Sequence, residues 1–191
     1  MPRGAYLLTG HDGPYAVERF SCAPGPAGWR YVATREDPAT GARSGRLDVV
    51  LDATGRALRV HVEAWGWELR GGVVGPQVLW RRGEQEREER AAGFTGTSPV
   101  WSVAAARLLA AGPGAGEGPV RVRLVRLGDE TLATLLVDER WARAGAQARD
   151  GVAVDGWEAA DLATGERRAV HLAGDVVLDA PGVRLLELTL T

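Results

Sequence analysis

The sequence predicts a mostly β fold: one strongly curved antiparallel sheet, a half-barrel or incomplete barrel, with a single central α-helix packed on its concave side. Three observations lead to this fold class. Most of the chain alternates apolar and polar residues with a period of two, between turns that contain glycine. Only one segment, near the middle of the chain, has helical spacing. About ten strands in one sheet tend to curl, and the helix can then bury its apolar face inside the curve.

The clearest hairpin lies in the first half of the chain. Apolar and polar residues alternate over 46–51, and the segment 52–55 then supplies a four-residue turn that ends in glycine. Alternation resumes over 58–64. This pattern is typical of two antiparallel strands that each have one buried face.

Three other segments have weaker patterns. Alternation over Val73–Arg82 predicts one strand, and Pro76 within it indicates an edge position or a bulge. The run Arg81–Arg90 mixes charges of both signs and is typical of a solvated hairpin end. The polar, Gly- and Ala-rich stretch Arg143–Gly151 predicts a loop or a short helix.

The predicted helix follows Ser98. This serine fits the N-cap position, and Pro99 fits the first helical position, where the missing N–H of proline costs nothing. Apolar residues then recur at helical spacing from Val100 to Ala111. The helix is expected to end at Gly112-Pro113-Gly114.

Composition limits the classes of protein that the chain can belong to. Its 191 residues predict one domain, 1–191, with a core large enough to fold without metal or disulfides. The net charge of −2 offers no basic excess, so nucleic acid is not an expected partner. No stretch approaches the ~18 apolar residues of a membrane span, so we expect a soluble, cytoplasmic protein. The lack of Lys, Ile and Asn is typical of a high-GC bacterial genome.

No strong catalytic, cofactor or metal motif is present, and the sequence predicts no catalytic residue, no cofactor and no metal site. Cys22 is the only cysteine and cannot form an internal disulfide. Ser98 lacks the glycine spacing of a nucleophile elbow. One loop, Gly10-His11-Asp12-Gly13, places an imidazole beside a carboxylate and can supply a general base. A small hydrolase or isomerase that uses His11 and Asp12 therefore remains an alternative.

The tryptophans are the most informative residues of the chain, which has seven of them. Trp65 and Trp67 are two residues apart and share a face if they lie on a strand. Either a bulge at or just before Gly66 switches the faces of the strand, or this end of the strand exposes the indoles. Because indole combines a large apolar face with one N–H donor, these residues suit a ligand cavity. Four of them can line that cavity, with an arginine near the mouth for a polar or anionic head, although each of the four can instead pack in the core. The predicted ligand-binding residues are Trp65, Trp67, Trp80, Trp101, Arg70 and Arg82.

Two stretches resemble a known family. Gly93-Phe94-Thr95-Gly96-Thr97-Ser98-Pro99, followed by Arg107-Leu108, resembles an element of a bacterial family described as glycolipid-binding. Glu18-Arg19-Phe20 and Gly28-Trp29-Arg30-Tyr31 suit the first strands of that family's half-barrel, which is similar to the carriers of lipoproteins in the bacterial periplasm. The resemblance implies a carrier of a lipid-like molecule and assigns no residue that contacts it.

The leading hypothesis is a non-enzymatic protein that binds a lipid-like or amphipathic small molecule in an apolar cavity between sheet and helix. One alternative is the hydrolase or isomerase described above. The other is a protein-interaction module or homodimer that uses a Trp-bearing sheet face, because large exposed apolar patches usually mark interfaces.

Overall fold

The computed structural model describes residues 1–25, 28–112, 118–149 and 151–190, as fifteen strands and one helix with their connections. In chain order these elements are β1 (Arg3–Gly10), β2 (Gly13–Gly25), β3 (Gly28–Glu36), β4 (Arg43–Leu51), β5 (Ala57–Ala64), β6 (Trp67–Val74), β7 (Gln77–Arg82), β8 (Gln85–Glu89), β9 (Gly93–Thr95), α1 (Pro99–Ala111), β10 (Val120–Leu127), β11 (Thr134–Arg149), β12 (Val152–Asp161), β13 (Arg167–Ala173), β14 (Val176–Ala180) and β15 (Val183–Thr189).

All fifteen strands form one sheet, in the order β8-β7-β6-β5-β4-β3-β2-β1-β15-β14-β13-β12-β11-β10-β9. Neighbouring strands are antiparallel except β9 and β10, which are parallel and joined through α1. The two edge strands, β8 and β9, are consecutive in the chain. Because Glu89 and Gly93 are four peptide links apart, about 14 Å at most, the sheet curls until its edges come close without pairing. The predicted curved, incomplete barrel is confirmed.

The structure has more strands than the ten expected, because the sequence pattern did not reveal several of the turns and strands. The single strand predicted over Val73–Arg82 is wrong: Gly75 has φ 57, and with Pro76 it forms the turn between β6 and β7. The loop or short helix predicted over Arg143–Gly151 is also wrong through Arg149, since β11 continues there and pairs with β12. The positive φ of Gly145, 108°, marks an irregularity in that pairing rather than its end.

The helix lies within the curve of the sheet and is buried on nearly all sides. It contacts β9 and β14, which belong to distant parts of the strand order. Arg107 forms an ion pair with Asp175 and lies 5.2 Å from the ring centre of Trp29. The turn at Gly55 packs directly on the helix backbone between Ala104 and Leu108. The helix begins at Pro99, as predicted. Of the residues at which it was expected to end, Pro113 and Gly114 lie outside the described residues.

The core is one contiguous cluster of buried apolar side chains that joins both halves of the sheet to the helix. Its densest part is aromatic: Phe20 stacks on Tyr6 at 4.7 Å and on Tyr31 at 5.5 Å between ring centres. Cys22 is buried in this cluster, and burial raises the pKa of its thiol to about 12, so it is an inert structural thiol. Within the described ranges, no helix has both the length and the apolar character that crossing a membrane requires.

Candidate functional site

A cleft of about 500 Å³ opens at one end of the half-barrel, where three connections of the chain converge. These are the β1–β2 turn, the β5–β6 turn and the β10–β11 connection. We call it the mouth cleft. Side chains that define it are His11, Asp12, Tyr15, Arg35, Trp65 and Asp129.

The floor of the mouth cleft carries a buried ionic network centred on Arg35. Its Nε lies 2.9 Å from Glu18 Oε2, and its Nη1 lies 3.2 Å from Asp129 Oδ1. Thr97 Oγ1 bonds the same Asp129 carboxylate and lies 3.4 Å from Arg35 Nη2. Burial alone would lower the pKa of Arg35, but Glu18 and Asp129 raise it above its ordinary value. The guanidinium is therefore a permanent, fully paired charge.

Glu18 is fully buried and connects this floor to the helix. Its Oε1 accepts hydrogen bonds from Tyr31 Oη and from Ser98 Oγ, both at 2.7 Å. Ser98 occupies the N-cap position, as predicted, but its hydroxyl donates to Glu18 and makes no capping bond. The network thus joins β2, β3 and the start of α1.

Tyr15 forms part of the wall between the mouth cleft and a second cavity deeper in the half-barrel. Its hydroxyl is buried and makes no well-formed hydrogen bond. Burial raises the pKa of Tyr15, although the Thr97 side chain is near enough to counter part of that rise. A buried hydroxyl with spare capacity for hydrogen bonding is suited to a polar ligand.

The deeper cavity, which we call the inner cavity, has a volume of about 340 Å³ and lies between the start of α1 and strands β10 to β15. Glu139 is fully buried there, 2.7 Å from Arg168 Nη2, 3.3 Å from Arg126 Nη2 and 2.8 Å from Trp141 Nε1. Arg126 also reaches Asp161 at 2.8 Å. The space that opens between helix and sheet is therefore charged, which differs from the apolar cavity that the sequence led us to expect.

A buried Glu139 was not predicted, because Asp138-Glu139 resembles a solvated pair in the sequence. The two residues point to opposite faces of β11, because they are adjacent on a strand. Asp138 bonds Arg121 and Arg123 on the outer face, while Glu139 faces the inner cavity. The sequence feature that could have indicated a buried acid is Arg126. It shares the inward-facing positions of β10 with apolar residues, and a buried arginine requires an acidic partner.

Trp65 lies at the tip of the β5–β6 hairpin and forms a wall of the mouth cleft. Of the two alternatives drawn from the sequence, the bulge at Gly66 is wrong, whereas the exposure of the indoles is found. Trp65 and Gly66 have φ 47 and 83, and they form a two-residue turn of the type in which both central residues have positive φ. Its side chain is 62% exposed. On its other side is a shallow cleft of about 460 Å³ that also contacts Trp67.

The structure brings three of the six predicted ligand-binding residues together. Trp65 and Trp67 lie on the same hairpin, and Arg82 stacks over the Trp67 ring at 4.0 Å while its Nε donates to the carbonyl of Thr131 at 2.7 Å. Trp67 is 43% exposed, so this group forms part of the rim of the half-barrel. Trp65, Trp67 and Arg82 remain predicted ligand contacts.

The other three residues lie elsewhere. Trp80 and Trp101 are buried in the core, where Trp101 packs 6.0 Å from Phe94 between ring centres. Arg70 lies on the opposite face of β6 from Trp67 and pairs with Glu68 at 2.7 Å. The four indoles therefore do not line one common cavity. The prediction assumed that Trp65 continues the alternation of a strand, whereas Trp65 lies in a turn.

His11 and Asp12 occupy the β1–β2 turn and line the mouth cleft. Among the described residues, the His11 side chain has no hydrogen-bond or ion-pair partner. The loop thus faces the cleft as the enzymatic alternative requires, but its imidazole is not oriented by a carboxylate. Elsewhere, His61, Glu63 and Glu68 gather on the sheet surface with candidate ligand atoms within 4.8 Å of one another. Arg43 and Arg70 pair with those two glutamates.

Comparison with known proteins identifies the fold and no family. No family model matches the sequence, and no curated protein matches it. Two solved structures are similar. A β-barrel-like protein of the domain of unknown function DUF1849 from Brucella abortus has a TM-score of 0.59 and 13% identity, over 100% of this chain and 97% of its own. A DUF1089 family protein from Pseudomonas aeruginosa has a TM-score of 0.56 and 16% identity, over 94% of this chain and 90% of its own. The chain thus shares a barrel-like fold with uncharacterised proteins.

Proposed function

We propose that this protein is a non-enzymatic binder of an amphipathic small molecule, with the mouth cleft as the site of the polar head. The indole of Trp65 contacts the ligand where head and tail join. The tail lies along the surface between Trp65 and Trp67. This keeps the lipid-like ligand expected from the sequence but moves it from the space between sheet and helix to the rim.

The conformation of Trp65 is the observation that carries the proposal. Positive φ is unusual for a bulky residue, and an indole that is 62% exposed gains little from packing. An Asn-Gly pair would form the same turn at lower cost. Backbone strain of this kind collects at ligand-binding sites, where function compensates for the lost stability. Trp65 also separates two adjoining clefts, so one ligand can contact both of its faces.

The charges of the mouth cleft favour an uncharged, hydroxyl-rich head. Asp12, Asp129 and Glu130 line it, which disfavours an anion. Arg35 is already paired with two carboxylates. Carboxylates, the Tyr15 hydroxyl and an aromatic face together suit a polyol, whose hydroxyls both donate and accept hydrogen bonds. A sugar-like head also agrees with the resemblance to a glycolipid-binding family.

Decyl maltoside below its micellar concentration is a suitable probe, with binding measured by isothermal titration calorimetry. We expect Trp65→Asn to weaken binding at least tenfold while raising the free energy of unfolding by about 0.5 kcal/mol, because the turn becomes Asn-Gly. Leu186→Asn is the matched control: it removes another exposed apolar side chain, on β15, and should leave affinity unchanged. Equal affinity in wild type and Trp65→Asn would refute the proposal.

The interaction module is a second candidate, because Trp65 and Trp67 are both substantially exposed on one hairpin. The interaction-module hypothesis predicts that sedimentation velocity detects a homodimer for the wild type and for Leu186→Asn, but a dissociated protein for Trp65→Asn. A monomer at all concentrations would remove the homodimer and leave the small-molecule proposal as the explanation of the exposed indoles.

A further inference from the structure

Another cleft, of about 570 Å³, opens on the opposite side of the molecule from β1, where the two edges of the sheet approach each other. We call it the seam cleft. It is bounded by the β6–β7 turn, the segment Arg90–Ala92 between the edge strands, and strands β10 and β11. None of these residues belongs to the mouth cleft or the inner cavity.

The seam stays open because its two edges are poorly matched. All five residues of β8 are exposed and most are charged, which discourages pairing along that edge. β9 has three residues and pairs only with Leu124–Arg126 of β10. Within the described part of the chain, the earlier residues Val120–Val122 of β10 have no strand on that side. Among the residues that the structure describes, this leaves a gap in the wall of the half-barrel.

The floor of the seam cleft is apolar. Through the gap, the half-buried Leu108 of α1 lines the cleft together with Val73 and Val122. Ala91 and Ala92 are small and leave room above them. Val122 and Ala91 are largely buried, so the apolar surface that the floor presents comes mainly from the partly buried Leu108 and Val73. Apolar surface left open to solvent costs free energy unless something covers it.

The rim of the seam cleft is basic. Four arginines line it, Arg56, Arg90, Arg121 and Arg123, against the single carboxylate of Asp138. Asp138 already binds Arg121 at 2.9 Å and Arg123 at 3.0 Å. Within the described residues, Arg90 has no ion-pair or hydrogen-bond partner. In a chain of net charge −2, the lining of this cleft carries an excess of positive charge, opposite in sign to the mouth cleft, while Glu89 of the adjoining β8 acts on Arg123 from outside the lining.

We propose that the seam cleft binds a single-chain anionic amphiphile, with its alkyl chain on the Leu108 floor and its carboxylate or phosphate head against Arg90 and Arg121. The apolar floor selects a tail, and the basic rim selects a negative head. The site is independent of Trp65, so it can exist whether or not the mouth cleft binds a ligand.

Calorimetric titration with decyl phosphate below its micellar concentration tests the site. We expect one decyl phosphate per chain, with affinity that falls at least tenfold for hexyl phosphate, because four methylenes are removed from the floor. Arg90→Glu should weaken decyl phosphate about fivefold, the scale of one exposed charge pair, and added salt should shrink that difference. Arg90 has no partner to lose, so the variant is expected to fold.

Arg3→Glu is the matched control. It makes the same change in net charge on β1, where the neighbouring residues Ser21 and Thr189 are uncharged. It should leave decyl phosphate affinity unaltered, as should Trp65→Asn. The proposal is overturned if Arg90→Glu and Arg3→Glu behave alike, or if inorganic phosphate binds as tightly as decyl phosphate. Loss of decyl phosphate binding in Trp65→Asn would assign the ligand to the mouth cleft instead.

Discussion

At the scale of single residues, two buried carboxylates organise the polar interior. Glu18 and Glu139 are both fully buried, and each is met by three side-chain donors. Burying a charge costs several kcal/mol per ion, so such groups persist only when nearly every lone pair is satisfied. The donors to Glu18 come from β3 and from the N-cap residue of α1, and those to Glu139 come from β10, β11 and β13. Each carboxylate therefore fixes how its surrounding elements meet.

Ser98 provides a direct test of the Glu18 network. Aspartate is a favoured N-cap residue, so the sequence pattern alone predicts that Ser98→Asp is harmless. The structure predicts the opposite, because a second carboxylate would lie against Glu18 in a buried site. We expect Ser98→Asp to lower the free energy of unfolding by about 3 kcal/mol, measured by urea denaturation at neutral pH.

Ser98→Asn is the control for this substitution, since it has the same shape without the charge and its amide can still donate to Glu18. Lowering the pH far enough to protonate one carboxyl should bring the Asp variant back toward the Asn variant. If the Asp variant is as stable as the Asn variant at neutral pH, Ser98 acts as an ordinary cap and not as a donor to Glu18.

At the scale of elements, the sequence correctly predicted the strands and the helix that local hydrophobic periodicity determines. The β4–β5 hairpin and the helix after Ser98 follow from alternation, turn glycines and capping signals. The β6–β7 turn was missed because Gly75-Pro76 interrupts one continuous apolar alternation. The β5–β6 turn was missed because Trp65 occupies a position that favours Asn, Asp or Gly. The positive φ of Trp65 is evident only from the backbone of the folded protein.

The packing of the β4–β5 turn on the helix gives a prediction at this scale. A Cβ at Gly55 would lie 2.5 Å from Leu108 N and 2.9 Å from Ala104 O, at a φ of +86. Gly41 has φ +71 and open space around it. We expect Gly41→Ala to cost about 1 kcal/mol from backbone strain alone. Gly55→Ala should cost at least ~2 kcal/mol more, because the turn must move away from α1.

Thermal unfolding of the two variants, followed by circular dichroism, separates these contributions. Their difference measures how tightly the turn holds the helix inside the sheet. Equal melting temperatures would mean that the turn and α1 separate without cost, which would contradict the close packing of the central helix.

The candidate site could be predicted only in part, because residues that are far apart in the sequence come together to build it. Trp65, Trp67 and Arg82 were expected from their residue types, and His11 and Asp12 from their loop. Arg35 and Asp129, which build the cleft floor, are 94 residues apart in sequence and carry no motif. Only the curl of the sheet brings them within bonding distance.

At the scale of the whole molecule, the strand order explains why there are two clefts of opposite charge. The chain closes the sheet in its middle, at β1 and β15, and leaves both edges at the seam. Turns at the ends of the strands build the acidic mouth cleft, while the unpaired edges create the basic seam cleft. The apolar side chains of helix α1 belong to the core cluster that lies inside the curled sheet.

Native mass spectrometry of the gently purified protein, before and after addition of decyl maltoside, tests the central claim that Trp65 and the mouth cleft hold an amphipathic ligand. The account predicts an added mass in the wild type that is lost on denaturation, persists in Leu186→Asn and is absent from Trp65→Asn. Fragmentation of a co-purified molecule would then identify its head group, which we expect to be uncharged and rich in hydroxyls. A wild type that remains at the bare chain mass even with decyl maltoside, or a ligand retained equally by Trp65→Asn, would contradict it.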